Sequence, residues 1–217
     1  MEEKNVRRNI VLYKLFQLLR EPLFWGPILI TYIVKVSGMS LAEIYFMESI
    51  CIILAIVLEV PTGALADLIG RKKTLFFGEV TIFYATFLFA IADQPIDIWI
   101  SNVFFFIGFV LISGADTSFL VDNLKTVDRE NEFKDIHGKA VAYRLFLAAF
   151  TAIASGYLAE INIRLPIFLS LIFLAINVVL ILFLHEPKRL QEQGSQTLAN
   201  LMKISMVFVA NHAKLKW

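Results

Sequence analysis

Long apolar stretches, separated by short clusters of charge, proline and glycine, run through the whole chain. A helix that crosses a bilayer needs about 20 mostly apolar residues. Six segments meet that requirement: 10–36, 41–66, 74–93, 96–122, 139–160 and 164–185. Arg20, Glu21 and Pro22 interrupt the first, so an interfacial helix over 9–19 followed by a short span is the alternative there. The pattern predicts an all-α integral membrane protein, a six-transmembrane-helix bundle.

Lysine and arginine are concentrated in alternate connections between these segments. Cytoplasmic loops carry the positive excess in membrane proteins. Basic residues precede the first span and follow the second, fourth and sixth: Lys4, Arg7, Arg8, Lys14, Arg71, Lys72, Lys73, Lys125, Arg129, Lys134, Lys139, Lys188 and Arg189. The other connections carry only Lys35 and Arg164. We therefore expect a multi-pass protein of the plasma membrane with both termini in the cytoplasm.

The composition and the absence of certain motifs limit the classes of protein to which this chain can belong. Hydrophobic residues make up 58% of the 217 residues, against about 45–50% in soluble domains, and the net charge of +1 does not favour nucleic acid. The one cysteine, Cys51, excludes an internal disulfide and a CxxC site. The histidines fall at or beyond span ends, which does not favour an intramembrane metalloenzyme. No GxxxxGK loop supports an ATP-driven pump. We expect a non-enzyme without metal or cofactor.

A charged, glycine-containing loop between the second and third spans carries the most specific pattern. The sequence from Gly63 to Leu75 is GALADLIGRKKTL. Gly63 and Gly70 permit close helix packing and a tight reversal. Asp67 places an anion at the membrane edge, and the basic run from Arg71 anchors the loop in the cytoplasm. The pattern predicts a short, rigid, charged hinge.

This loop resembles the signature loop of the major facilitator superfamily, G-x-L-a-D-r-x-G-R-k-x-x-l. Gly63, Asp67, Gly70 and Arg71 match, and Leu68 departs from the arginine that the family often has. The stretches 113–122 and 130–140 are also similar to bacterial members. The resemblance implies the amino-terminal half of a transporter with two six-span halves, built from two three-helix repeats, with the substrate cavity between the halves.

The resemblance also implies roles for particular residues. Asp67, Arg71 and Asp122, which ends span four, would form a gating cluster that holds one conformation and releases in the other. The alternative is that these charges only anchor loops at the interface. Residues 1–189 would be the half-bundle, and 190–217 a cytoplasmic linker and amphipathic segment that leads toward a second half.

Several ionisable residues fall inside the predicted spans, where charge is costly and often functional. Arg20, Glu48, Asp116 and Arg144 are the candidates for a substrate or proton site. One hypothesis pairs Arg20 with Asp116 or Glu48 in such a site, because loss of hydration raises the proton affinity of a carboxylate. The alternative is that these charges pair only to stabilise the bundle.

The predicted function is secondary active transport of a small solute by alternating access, as part of a proton-linked exporter. Span five lacks the G-P-x-x-G-G ending similar to that of antiporter members, so antiport stays open. The alternative is a truncated or split half without transport activity, acting as a membrane scaffold. The expected partners are the lipid bilayer, a small-molecule substrate and either a second half-transporter or another copy, but no nucleic acid.

Overall fold

The computed structural model describes residues 2–20 and 23–187, and within those ranges it is helical with no strand. Seven α-helices follow one another: α1 Glu2–Arg20, α2 Leu29–Ser37, α3 Leu41–Ile69, α4 Arg71–Ile91, α5 Pro95–Lys125, α6 Phe133–Ile161 and α7 Leu165–Leu182. Short 3-10 helices at Gly26–Ile28 and Glu130–Glu132 precede α2 and α6. The all-α prediction is confirmed for this part of the chain.

Five helices of the described residues, α3 to α7, are long and apolar enough to cross a membrane. The predicted first span is wrong as a continuous helix, because α1 ends at Arg20 and a shorter apolar segment, Gly26–Ser37, follows. The sequence places Pro22 just after α1, and proline disfavours helical backbone in the residue before it. A count of six spans is therefore not confirmed.

The other five predicted spans coincide with α3 to α7. The largest difference is in α6, which begins at Phe133, six residues before the predicted start at 139. Local signals set several of these ends. Ser40 and Glu43 form a reciprocal capping box at the start of α3, and Pro95 occupies the first turn of α5. The predicted linker and amphipathic segment at 190–217 lies outside the described residues.

Helices α4 and α5 form the closest-packed pair of the bundle. At their crossing, a Cβ atom added to Gly108 would lie 2.7 Å from the carbonyl oxygen of Gly78. Helix α7 packs on α4, α3 packs on α5, and α1 lies against α6 and α7. Glycine at the α4–α5 crossing thus allows the two backbones to approach without side chains between them. We call the end of the bundle that contains the α3–α4 turn the motif end.

The α4–α5 crossing predicts a stability difference between two glycine variants. Gly108→Ala should destabilise the bundle by about 1–3 kcal/mol, because the new methyl group meets backbone atoms that cannot move aside. Gly156→Ala on α6 is the matched control, since a Cβ there meets no atom within 4 Å. It should be neutral or stabilising, because alanine favours a helix over glycine by about 1 kcal/mol. Thermal unfolding in detergent measures both, and equal effects would contradict the packing.

Candidate functional site

Arg71 stands at the centre of a charge cluster at the motif end. Its guanidinium lies 2.6 Å from a carboxylate oxygen of Asp67 and 3.3 Å from one of Asp122. Gly70, between α3 and α4, has φ of +109°, a conformation that other residues rarely adopt. The side chain of Arg71 is 14% exposed, whereas those of Asp67 and Asp122 are 35% and 24% exposed. The turn thus brings the predicted gating residues together and links the α3–α4 turn to α5.

Glu186, just after α7, joins this cluster and was missed in the sequence analysis. Its carboxylate accepts hydrogen bonds from the backbone N–H groups of Arg71, at 2.7 Å, and Lys72, at 3.0 Å. These donors have no partner within their own helix, and the helix dipole also favours an anion there. Glu186 lies 115 residues after Arg71, and no local pattern marks such a contact.

A second network at the motif end ties α1 to the segment after α7. Asn9 donates to Asn123 on α5 at 2.6 Å and to the carbonyl oxygen of His185 at 2.8 Å. Beside this network lies a cavity of about 370 Å³, whose lining includes Lys72 and Glu186. The motif end therefore contains a cavity next to the Arg71 cluster.

A second ion pair lies deeper in the bundle, between α1 and α5. Nη1 of Arg20 is 3.1 Å from a carboxylate oxygen of Asp116, and the two side chains are only 13% and 11% exposed. The same oxygen accepts a hydrogen bond from Gln17 at 3.2 Å. The guanidinium carbon also lies 5.9 Å from the ring centroid of Phe109. The structure therefore brings together two predicted candidates, Arg20 and Asp116.

Hydrogen bonds continue from this pair toward the motif end along α1. Gln17 donates to the hydroxyl of Tyr13 at 2.9 Å, and that hydroxyl lies 2.9 Å from Nδ1 of His137 on α6. The ring of His137 stacks on Phe133. The sequence analysis placed His137 at a span end and assigned it no role. A spacing of four residues between Tyr13 and Gln17 on one helix was the available signal.

The other two candidates are placed differently. Glu48, on α3, accepts a hydrogen bond from Asn102 at 3.1 Å. Asn102 lies about 21 Å from Asp116 along α5, so Glu48 is remote from the buried pair. The pairing of Glu48 with Arg20, one of the two hypotheses above, is therefore not present in this conformation. Arg144, on α6, lies near enough for its charge to act on Tyr13.

Metal ligation has no candidate in the described ranges. There, no group of three or more histidine, cysteine, aspartate or glutamate residues is arranged to hold a metal ion. Cys51 is buried and free. The polar groups of the bundle are suited to ion pairing and hydrogen bonding.

Comparison with known proteins found a distant relative and no matching family model. The chain is 26% identical over 215 residues to Multidrug resistance protein 1 of Bacillus subtilis (strain 168). The alignment covers 97% of this chain and 54% of the relative, so the chain spans about half the relative's length. Together with the five apolar helices, this similarity supports a multi-pass membrane protein.

The buried pair predicts unequal costs for two aspartate substitutions. Asp116→Asn should destabilise the bundle by about 3–5 kcal/mol, because it removes the carboxylate that Arg20 pairs with in this conformation. Asp135→Asn, which removes an exposed pair with Lys139, should cost less than about 1 kcal/mol. Thermal unfolding of both variants in the same detergent gives the comparison. A loss no larger for Asp116→Asn would show that the pair is not structurally important.

Proposed function

We propose that this chain is the amino-terminal half of a major facilitator superfamily transporter that exports a small, drug-like solute by alternating access. The observation that carries the proposal is the similarity to Multidrug resistance protein 1, which extends over nearly the whole chain but only about half of the relative. The arrangement of Arg71 between Asp67 and Asp122, in a loop that resembles the family's signature, supports it.

The proposal gives the bundle six crossings, with α1 and α2 together forming the first. Residues 1–189 would form the half-bundle of two three-helix repeats. The distribution of lysine and arginine supports a cytoplasmic motif end and cytoplasmic termini. The plasma membrane is the proposed location.

The Arg71 cluster is the proposed gate. It links the α3–α4 turn to α5 through two ion pairs that are partly shielded from water. Such a contact can be made in one global conformation and broken in the other. A rotation that separates the α3–α4 turn from α5 would release Arg71 from Asp122 and open the motif end.

The least buried spans, α3 and α6, are the proposed contact surface for a second half. Only 17% of the most apolar stretch of α3 and 11% of that of α6 are buried inside the bundle, against 50% for α4 and 44% for α7.

A scaffold protein or homodimer without transport activity is the alternative. The mass of the native gene product, detected with an antibody against its amino-terminal peptide, distinguishes them. About twice 24.7 kDa supports the transporter, and 24.7 kDa supports the alternative.

The gate predicts that Asp67→Asn changes access to the motif end. In the native gene product with Cys51 replaced by alanine, a cysteine introduced at Asn5 reports on the cavity there. Asp67→Asn should raise its labelling rate several-fold, because weaker pairing of Arg71 favours the open conformation. Asp128→Asn, at an exposed loop residue of the same end, is the control. Unchanged labelling with Asp67→Asn would remove the gate.

The buried pair predicts a role in coupling. In cells that express the native gene product, efflux of a fluorescent dye should stop when a protonophore collapses the proton gradient. Asp116→Asn should reduce gradient-driven efflux more than tenfold, whereas Glu48→Gln should have a smaller effect because Glu48 lies away from the pair. Membrane abundance of each variant is the control. Full efflux in both variants would show that neither carboxylate couples transport to protons.

A further inference from the structure

Glu79, on α4, is a buried carboxyl that neither the gate nor the Arg20–Asp116 pair uses. Its side chain is completely buried. Neither of its carboxylate oxygens has a hydrogen-bond partner among the described residues. An unpaired carboxylate ion in such a site is far more costly than the neutral acid. Burial and missing partners together therefore favour a carboxyl group that carries a proton.

Asn177 gives a second reason to place a proton there. It lies beside Glu79, is also fully buried, and uses its Nδ2 atom to donate to the carbonyl oxygen of Phe16 at 3.1 Å. Its Oδ1 atom has no donor within the described part of the chain. The three described atoms without a partner here, both carboxylate oxygens of Glu79 and Oδ1 of Asn177, are all acceptors. A proton on Glu79 would provide a donor for such an acceptor.

Among the described residues, Arg20 lies near enough to Glu79 for its charge to act on that carboxyl group. In this conformation its guanidinium is engaged by Asp116. Helix α4 packs against α5, α7 and, less extensively, α3. Helix α7 carries no ionisable residue. The ionisable residues of α3 and α5 are Glu43, Tyr45, Glu48, Cys51, Glu59, Asp67, Asp97, Asp116, Asp122 and Lys125. Arg20 thus pairs with Asp116 and lies near a second buried carboxyl group, that of Glu79.

We propose that Glu79 is a proton-binding site whose occupancy is set by the Arg20–Asp116 pair. While Asp116 holds Arg20, Glu79 keeps its proton. When Asp116 is neutralised or engaged by another group, Arg20 turns toward Glu79, which releases the proton and becomes the carboxylate partner of Arg20. The proton leaves as H⁺ to water, and no other bond changes. This inference deepens the proposed function, on which its role in transport rests.

Infrared spectroscopy of the unmodified chain in lipid nanodiscs tests the site directly. A protonated carboxyl group gives a C=O stretch that carboxylates lack, and ¹³C-labelling of glutamate shifts the contribution of glutamate alone. We expect a glutamic acid band that persists at neutral pH and slightly above. Its absence at neutral pH from the labelled, folded protein would overturn the proposal without any substitution.

Variants then assign the band and test the role of Arg20. Glu79→Gln should remove it completely, whereas Glu160→Gln, at an exposed residue of α6, should leave it in place. Asp116→Asn should reduce it at least several-fold, because Arg20 becomes available to Glu79. A band that is lost with Glu48→Gln instead, or one that is unchanged in folded Asp116→Asn, would contradict the proposal.

The spectrum and the transport assay separate this inference from the function on which it rests. The glutamic acid band is measured without any solute or gradient. If the band behaves as expected but the native gene product moves no solute, the proposed function fails and the proton site stands. If gradient-driven efflux occurs but the band is absent, the function stands and the proton site fails.

Discussion

An ion pair buried among apolar helices is the interaction on which the rest of this structure depends. Charge inside a membrane is tolerated when it faces the protein interior and has a partner. Arg20 and Asp116 meet that condition, and their contact holds α1 against α5. Gln17 and Tyr13 extend the contact to His137, so that α6 is attached to the same polar network. One buried pair thus connects three helices, α1, α5 and α6.

The proposed gate and the buried pair share one helix. Asp122 and Asp116 are about 9 Å apart along α5, and each binds an arginine from a different element. The close α4–α5 crossing at Gly78 and Gly108 leaves little room for movement between these two helices. We infer that α4 and α5 stay packed together at this crossing, while α1 and the motif end, about 10 Å from the crossing along α4, change their contacts. This places both charge networks where a conformational change would alter them together.

Hydropathy predicted α3 to α7 because a bilayer requires a nearly uniform length of apolar helix. The first span could not be predicted in the same way, since the charge at Arg20 and the nearby Pro22 oppose a continuous helix while the flanking residues favour one. The motif residues were predictable because a short loop places Asp67, Gly70 and Arg71 together in sequence. The positions of Glu186 beside Arg71 and of Asn177 beside Glu79 were not, because contacts across more than 90 residues depend on helix packing. Glu79 is an ionisable residue within the predicted third span, but sequence alone does not tell whether such a residue is paired.

The most direct measurement of the central claim is transport by the purified native gene product in proteoliposomes, without ATP. An imposed pH gradient should drive accumulation of a drug-like dye on one side of the membrane, with protons moving in step, and collapse of the gradient should abolish both movements. Folded, correctly inserted protein that moves no dye under a gradient would contradict the account. Dye movement that continues unchanged after the gradient is collapsed would retain transport but contradict proton coupling.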